Sequence, residues 1–220
     1  SMHSKVNSQS IRTGELSDDD WIKLVESARE IGNSNLIIDD TSSISVSELR
    51  SKCRKFKLEY NLGLVIIDYL QLMTGSKKTD SRQQEISDIS RSLKGLAREL
   101  NVPVIALSQL SRAVEQRPDK RPMLSDLRES GAIEQDARCV MALYREEHVL
   151  RTRMGTDGQP VRNTNETDAV YEKRRAAFLD ALDRSRGKAE VIVLKNRGGR
   201  TGIVDMLFDG LGSSAAHIAA

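Results

Sequence analysis

Two short apolar runs, separated by a long amphipathic segment, constrain the fold of this chain more than any other feature. Leu64 to Ile67 and Val104 to Leu107 are continuous rather than alternating, as expected of strands that are covered on both faces of a sheet. Between them, Arg82 to Leu100 carries apolar residues at helical spacing. Strands that alternate with helices predict an α/β fold with a largely parallel sheet flanked by helices.

Further segments extend this alternation. Three have the capping residues or the spacing of amphipathic helices: Ser17 to Gly32, the segment that begins at Ser45 or Ser47, and Glu166 to Arg184. Two short apolar runs predict strands and two longer segments predict a terminal hairpin: Leu36 to Ile38, Val140 to Tyr144, and Ala189 to Leu194 with Thr201 to Phe208. Polar or irregular segments predict loops and a tail: Gly75 to Ser81, Arg112 to Gly131, and Gly210 to Ala220.

Composition excludes several classes of protein. The 34 Lys and Arg against 32 Asp and Glu leave a net charge of +2, so any nucleic-acid contact must come from a local patch. Aromatic residues make up 4% of the chain, too few for a surface that stacks bases. Cys53 and Cys139 belong to no cluster, which argues against a disulfide scaffold or a zinc site. With no membrane-span pattern and no signal-peptide core at its start, the chain is predicted to be cytoplasmic.

Polar residues that follow the central apolar runs are candidates for chemistry. Asp68 follows the first run, where a Walker B carboxylate holds Mg²⁺ or its water beside a nucleotide. Gln109 follows the second run, where a glutamine can sense a phosphate or orient water. Both have a simpler interpretation: Asp68, like Asp39 after its own run, could cap a loop, and Gln109 could bond loop backbone.

A basic pair near the end of the chain is a second candidate. Lys195 and Arg197 stand two residues apart where a strand meets a Gly-rich turn, so both side chains could reach one phosphate cluster, including one on a neighbouring subunit. The alternative is a solvated hairpin tip. No GxxxxGK[ST] motif occurs in the 220 residues, so the loop that cradles the β- and γ-phosphates is not among them.

The order of several segments resembles the RecA-like motor domain of the bacterial replicative DNA helicases, the DnaB family. The segments are Ile11 to Leu16, Leu64 to Met73, Ile89 to Lys94, Pro103 to Leu110 and Ser125 to Ala137. The resemblance covers nearly the whole chain. It implies a P-loop NTPase core in a homohexameric ring that encircles one DNA strand and unwinds duplex DNA during replication, using ATP and Mg²⁺. It also implies single-stranded DNA, a primase and a helicase loader as partners.

The resemblance implies a role for each site residue. Asp68 would be the Walker B carboxylate that helps hold Mg²⁺, and Gln109 would link the γ-phosphate to the DNA-binding loops. Lys195 and Arg197 would serve the neighbouring subunit's ATP as lysine and arginine fingers. A further set would meet the phosphates of single-stranded DNA: Arg128, Glu129 and Gly131.

The chain also departs from the family pattern. The family's Walker A loop and catalytic glutamate would lie before Ser1, so we expect an N-terminally truncated motor domain that is inactive alone. Residues 1–210 would form this partial domain, with 147–188 as an insertion and 211–220 as a flexible tail. The alternative function is a non-catalytic module that binds single-stranded DNA or a helicase and has lost the phosphate loop. A recombinase or clock-type relative fits the segment from Leu127 to Gly131 less well.

Overall fold

A computed structural model describes residues 3–75, 81–127, 131–209 and 214–217. The helices of the described residues are α1 (Ser8–Thr13), α2 (Asp18–Gly32), α3 (Val46–Tyr60), α4 (Arg82–Leu100), α5 (Ala113–Gln116), α6 (Gly131–Asp136), α7 (Glu146–Arg151) and α8 (Asp168–Ser185). The strands are β1 (Val65–Ile67), β2 (Val104–Ala106), β3 (Cys139–Tyr144), β4 (Lys188–Asn196), β5 (Gly202–Asp209) and β6 (Ser214–His217). The predicted α/β class is confirmed.

The chain divides into two compact units. The first unit comprises Ser1–Ser34, Ala142–Val193 and Gly202–Ala220, and the second comprises Asn35–Met141 and Leu194–Thr201. All described candidate site residues belong to the second unit, which is therefore the part of the fold that bears on function.

The core of the second unit forms where α3 and α4 pack on one face of a parallel strand pair. In register, β1 and β2 pair from Val65 opposite Val104 to Ile67 opposite Ala106. Helix α4 buries one stripe because its apolar residues recur every three or four positions. The buried members of this stripe are Ile86, Ile89, Leu93, Leu96 and Leu100. The predicted helix from Arg82 to Leu100 is confirmed at both ends.

The other face of this strand pair is open, which contradicts one expectation from the sequence. Ile66 is 63% exposed, and Ile105 is 42% exposed. The continuous apolar runs predicted strands covered on both faces, but α3 and α4 cover only the face of Val65 and Ile67.

The strand predicted from Leu36 to Ile38 is also wrong, since this segment is irregular and Ile38 is 78% exposed. Asp39 accepts hydrogen bonds from the backbone N–H and the hydroxyl of Thr41, which turns the chain away from an extended path. The Lys52 ammonium and these Thr41 donors lower the pKa of Asp39 to about 2. Asp39 therefore stabilises a turn, as its simpler interpretation proposed.

The first unit contains a helix and a hairpin that the sequence predicted. Helix α2 begins after Ser17, whose hydroxyl accepts the N–H of Asp20 while the Asp20 carboxylate accepts the N–H of Ser17. Strands β4 and β5 are antiparallel neighbours, and β3, β4, β5 and β6 follow one another in their sheet. Strand β6 pairs with β5 inside the predicted tail.

The predicted insertion, 147–188, contains most of α7 and all of α8. Glu147 is buried there and accepts the N–H of Gly187 at 3.0 Å and Nε of Arg151 at 2.9 Å. A buried carboxylate thus ties α7 to the loop that follows α8. No helix in the described ranges is long and apolar enough to cross a membrane.

Candidate functional site

The carboxyl ends of β1 and β2 bring two of the predicted site residues to one edge. The carbonyl of Ile67 accepts the N–H of Leu107 at 2.9 Å, and the carbonyl of Leu107 accepts the N–H of Leu70 at 2.9 Å. Asp68 follows the first strand and Gln109 follows the second, and both are exposed. Because parallel strands end at the same edge, residues 41 positions apart in the chain share it.

A residue that the sequence analysis missed joins the two strand ends. The amide of Gln71 donates from Nε2 to Oγ of Ser108 at 3.1 Å and accepts the N–H of Gln109 at 3.2 Å through Oε1. Its own carbonyl accepts Nη2 of Arg82. Gln71, three residues after Asp68, therefore holds the backbone of Gln109 in a fixed position. Its only sequence signal was its place in the segment after the first strand.

The edge fits a magnesium–nucleotide complex through a single carboxylate. Mg²⁺ prefers oxygen ligands and commonly keeps several waters, taking one or two carboxylates and phosphate oxygens for the remainder. Asp68 supplies an exposed carboxylate at this edge. Within the ranges that the structure describes, no cluster of three or more His, Cys, Asp or Glu side chains could hold a metal alone. Asp68 is therefore suited to a shared site rather than a complete protein cage.

The basic pair lies on a different element and bonds to α6. Nζ of Lys195 donates to the carbonyl of Glu134, and Nη2 of Arg197 donates to the carbonyl of Gln135. These carbonyls belong to the last turn of α6, where the helix dipole favours cations. As their spacing predicted, the two side chains reach one small area, but that area is the end of α6 and not the edge of Asp68.

The turn that follows this pair is organised by a side chain. Oδ1 of Asn196 accepts the N–H of Gly198 at 3.0 Å, and Nδ2 donates to the carbonyl of Arg200 at 3.4 Å. A Cβ on Gly199 would lie 2.8 Å from Nδ2 of Asn196, so a larger residue there would displace this amide. Asn196 and the glycine together hold Arg197 at the tip of the hairpin.

Helix α6 begins at Gly131, one of the three residues expected to contact DNA; Arg128 and Glu129 lie outside the described residues. Ile133 is buried in the core, and Asp136 pairs with Lys94 of α4 at 3.2 Å. The helix is therefore anchored on α4 while its first residue, Gly131, stays exposed. Its far end accepts the basic pair.

Comparison with known proteins decides the family. A profile of the DnaB-like helicase C-terminal domain family matches residues 1–214. The chain belongs to this family.

Three replicative helicases and two solved structures give the extent of the similarity. This DnaB-like chain is 46% identical over 209 residues to replicative DNA helicase DnaB of Rickettsia conorii, which covers 95% of this chain and 40% of the relative. It is 47% identical over 204 residues to replicative DNA helicase DnaC of Bacillus subtilis (92% and 38% covered). It is 60% identical over 144 residues to DnaB of Geobacillus stearothermophilus (65% and 32% covered).

Among solved structures, the DnaB-like fold matches a replicative helicase described with its interactions with primase, at TM-score 0.78 and 40% identity (99% of this chain and 46% of that one). A second solved structure, of an isolated ATPase domain, matches equally well, at TM-score 0.78 and 40% identity (99% and 68% covered). The chain thus spans about two fifths of the length of the Rickettsia and Bacillus relatives that it matches.

Proposed function

We propose that this chain is the larger part of the ATP-dependent motor of a replicative DNA helicase that translocates on single-stranded DNA and unwinds duplex DNA. The observation that carries the proposal is the shared edge of Asp68 and Gln109 in a chain of the DnaB-like family. Its substrates would be ATP with Mg²⁺, in keeping with a fold similar to an ATPase domain.

At the strand edge, Asp68 would hold Mg²⁺ and Gln109 would sense the γ-phosphate. Bound Mg²⁺ would neutralise negative charge on the phosphates. Gln71 restrains the backbone of Gln109, so the Gln109 side chain starts from a fixed point when it contacts a phosphate. A fixed starting point is needed if a change at the phosphate is to be passed on along the chain.

Lys195 and Arg197 would act as fingers on the ATP of a neighbouring subunit in a homohexameric ring, neutralising charge that develops in the transition state. In this chain both side chains bond to carbonyl oxygens of α6. Action on a neighbour therefore requires them to leave Glu134 and Gln135, and α6 would compete with the nucleotide for the two cations.

DNA contacts would come from Arg128, Glu129 and Gly131. Arg128 supplies positive charge for a phosphate, and Gly131 allows close approach of the backbone. Since Gly131 begins the helix that accepts the basic pair, this short element lies between the proposed DNA contacts and the proposed fingers. We further propose a cytoplasmic protein with a primase and a helicase loader as partners. Residues 1–210 would form the motor portion, with an insertion at 147–188 and a tail from 211.

A first experiment measures ATP binding and hydrolysis stimulated by single-stranded DNA. The 220-residue chain is compared with a version extended upstream to include any phosphate loop that the encoding DNA specifies. Activity in the extended version alone supports the truncated motor. Activity in the short chain would mean that a different nucleotide site exists, and DNA binding without hydrolysis in either version would favour the non-catalytic module.

A second experiment tests the fingers by mixing subunits of the active version. Asp68→Asn and Arg197→Ala should each abolish most hydrolysis alone, whereas mixed rings should regain activity at interfaces that pair an intact Asp68 with an intact Arg197. Arg200→Ala, an exposed arginine of the same turn, serves as the control and should leave hydrolysis unchanged. Mixed rings that stay as inactive as their components would exclude action between subunits.

A further inference from the structure

A largely buried ion pair closes the segment between β2 and α6. Nη1 of Arg117 donates to Oδ1 of Asp126 at 2.8 Å, and Nη2 donates to Oδ2, so the guanidinium and the carboxylate meet as two parallel forks. Asp126 is 3% exposed. The pair joins residues nine positions apart in a segment that has little regular structure of its own.

The same carboxylate and its backbone hold further parts of the segment. Oδ2 of Asp126 also accepts the N–H of Met123 at 2.7 Å, and the Asp126 carbonyl accepts the N–H of Ser111 at 2.8 Å. Arg117 also donates to the carbonyl of Arg121 at 2.6 Å. Asp126 is therefore bonded to Ser111, two residues after Gln109, and to most of the turn that precedes it.

The pair does not have the features expected of a device for stability alone. Nε of Arg117 is buried without a hydrogen-bond partner, and burying a charged group with an unsatisfied donor costs free energy. Buried ion pairs are weak evidence for stability for this reason, and fixing a geometry is one attested use of them. The hydrogen bonds from Arg117 lower the pKa of Asp126, so the carboxylate stays charged at neutral pH.

The pair lies at one end of a short bridge. Leu127, the next residue, packs against the core, and four positions later Gly131 begins the anchored helix α6. We propose that Arg117 and Asp126 are positioning residues that fix where the DNA-binding segment leaves the core. The inference rests on the proposed function, which assigns the DNA contacts to the residues between Leu127 and α6.

The test replaces Arg117 by lysine in the full chain, which keeps the charge but removes the two-pronged fork. Arg112→Lys, an exposed arginine of the same segment, is the matched control. Binding of a labelled oligothymidylate is followed by fluorescence anisotropy over a range of salt concentrations, and thermal unfolding is recorded for each variant. Net charge is the same in all three proteins, so a change in the salt dependence reports lost phosphate contacts and not lost charge.

For Arg117→Lys we expect Kd to rise about tenfold, the equivalent of one charge-assisted hydrogen bond to DNA. The slope of log Kd against log salt should become shallower by about 0.7, the value for one phosphate contact on single strands. Arg112→Lys should match the parent in both measurements.

A merely structural role would lower the unfolding temperature and the folded fraction but leave the salt slope unchanged, and that result would overturn the inference. Parent-like Kd and slope in Arg117→Lys would also overturn it. If Arg117→Lys does not fold, Asp126→Asn is compared with Glu115→Gln, since both exchange a carboxylate for an amide, and the same slope decides. Failure of the parent chain itself to bind the oligonucleotide would instead overturn the proposed function.

Discussion

Leu96→Ala tests whether α4 is the central element of the second unit. Leu96 is 0% exposed and belongs to the core that α3, α4 and the β1–β2 pair enclose. Truncation at Cβ removes about 2 to 2.5 kcal/mol of transfer free energy at about 0.8 kcal/mol per carbon. The cavity that remains raises the loss of unfolding free energy to about 3 to 5 kcal/mol.

Leu58→Ala is the matched control, because Leu58 lies in helix α3 and is 88% exposed. The same chemical change there should cost less than about 0.5 kcal/mol. Urea unfolding followed by circular dichroism gives both free energies, and thermal unfolding should place the Leu96 variant at least about 6 °C below the parent. Equal losses in the two variants, or a Leu96 variant that unfolds within about 2 °C of the parent, would refute the packing described here.

Two further perturbations address the first unit. Ser17→Ala removes the hydroxyl that caps α2 and should lower the unfolding free energy by about 1 kcal/mol, measured by urea unfolding; an unchanged free energy would show that the cap contributes nothing. Glu147→Gln should destabilise the chain at neutral pH but progressively less as pH falls below 4.5. The N–H of Gly187 and then the Arg151 guanidinium lower the pKa of Glu147, so its contribution is present above the unfolded pKa and lost as the folded carboxylate is protonated. Unfolding at two pH values, with the exposed Glu146→Gln as control, measures this difference, and a pH-independent loss would contradict the assignment.

Much of the fold was predictable from local patterns. Helix α4 begins and ends where its apolar spacing indicated, because one stripe of side chains must be buried whatever it packs against. The hairpin of β4 and β5 was predictable because its glycines and asparagine mark a turn between two strand-like segments.

Patterns failed where a partner decides the structure. Leu36 to Ile38 and Leu64 to Ile67 are both short apolar runs that end at an aspartate, yet only the second forms a strand. A strand needs a neighbour for its backbone hydrogen bonds, and β1 finds one in β2, whose paired residues lie 39 positions further along the chain. The apolar run alone does not reveal whether such a neighbour exists.

The candidate site divides in the same way. Asp68, Gln109, Lys195 and Arg197 were identified from the sequence because residue type and position at strand ends carry that information. Only the tertiary structure revealed that Gln71 joins the two strand ends and that the basic pair bonds to α6. An amide bonds to any nearby donor and acceptor, and backbone carbonyls are the same in every residue, so neither partner leaves a mark in the sequence. The sequence by itself determined which groups carry the chemistry, and folding decided what each group contacts.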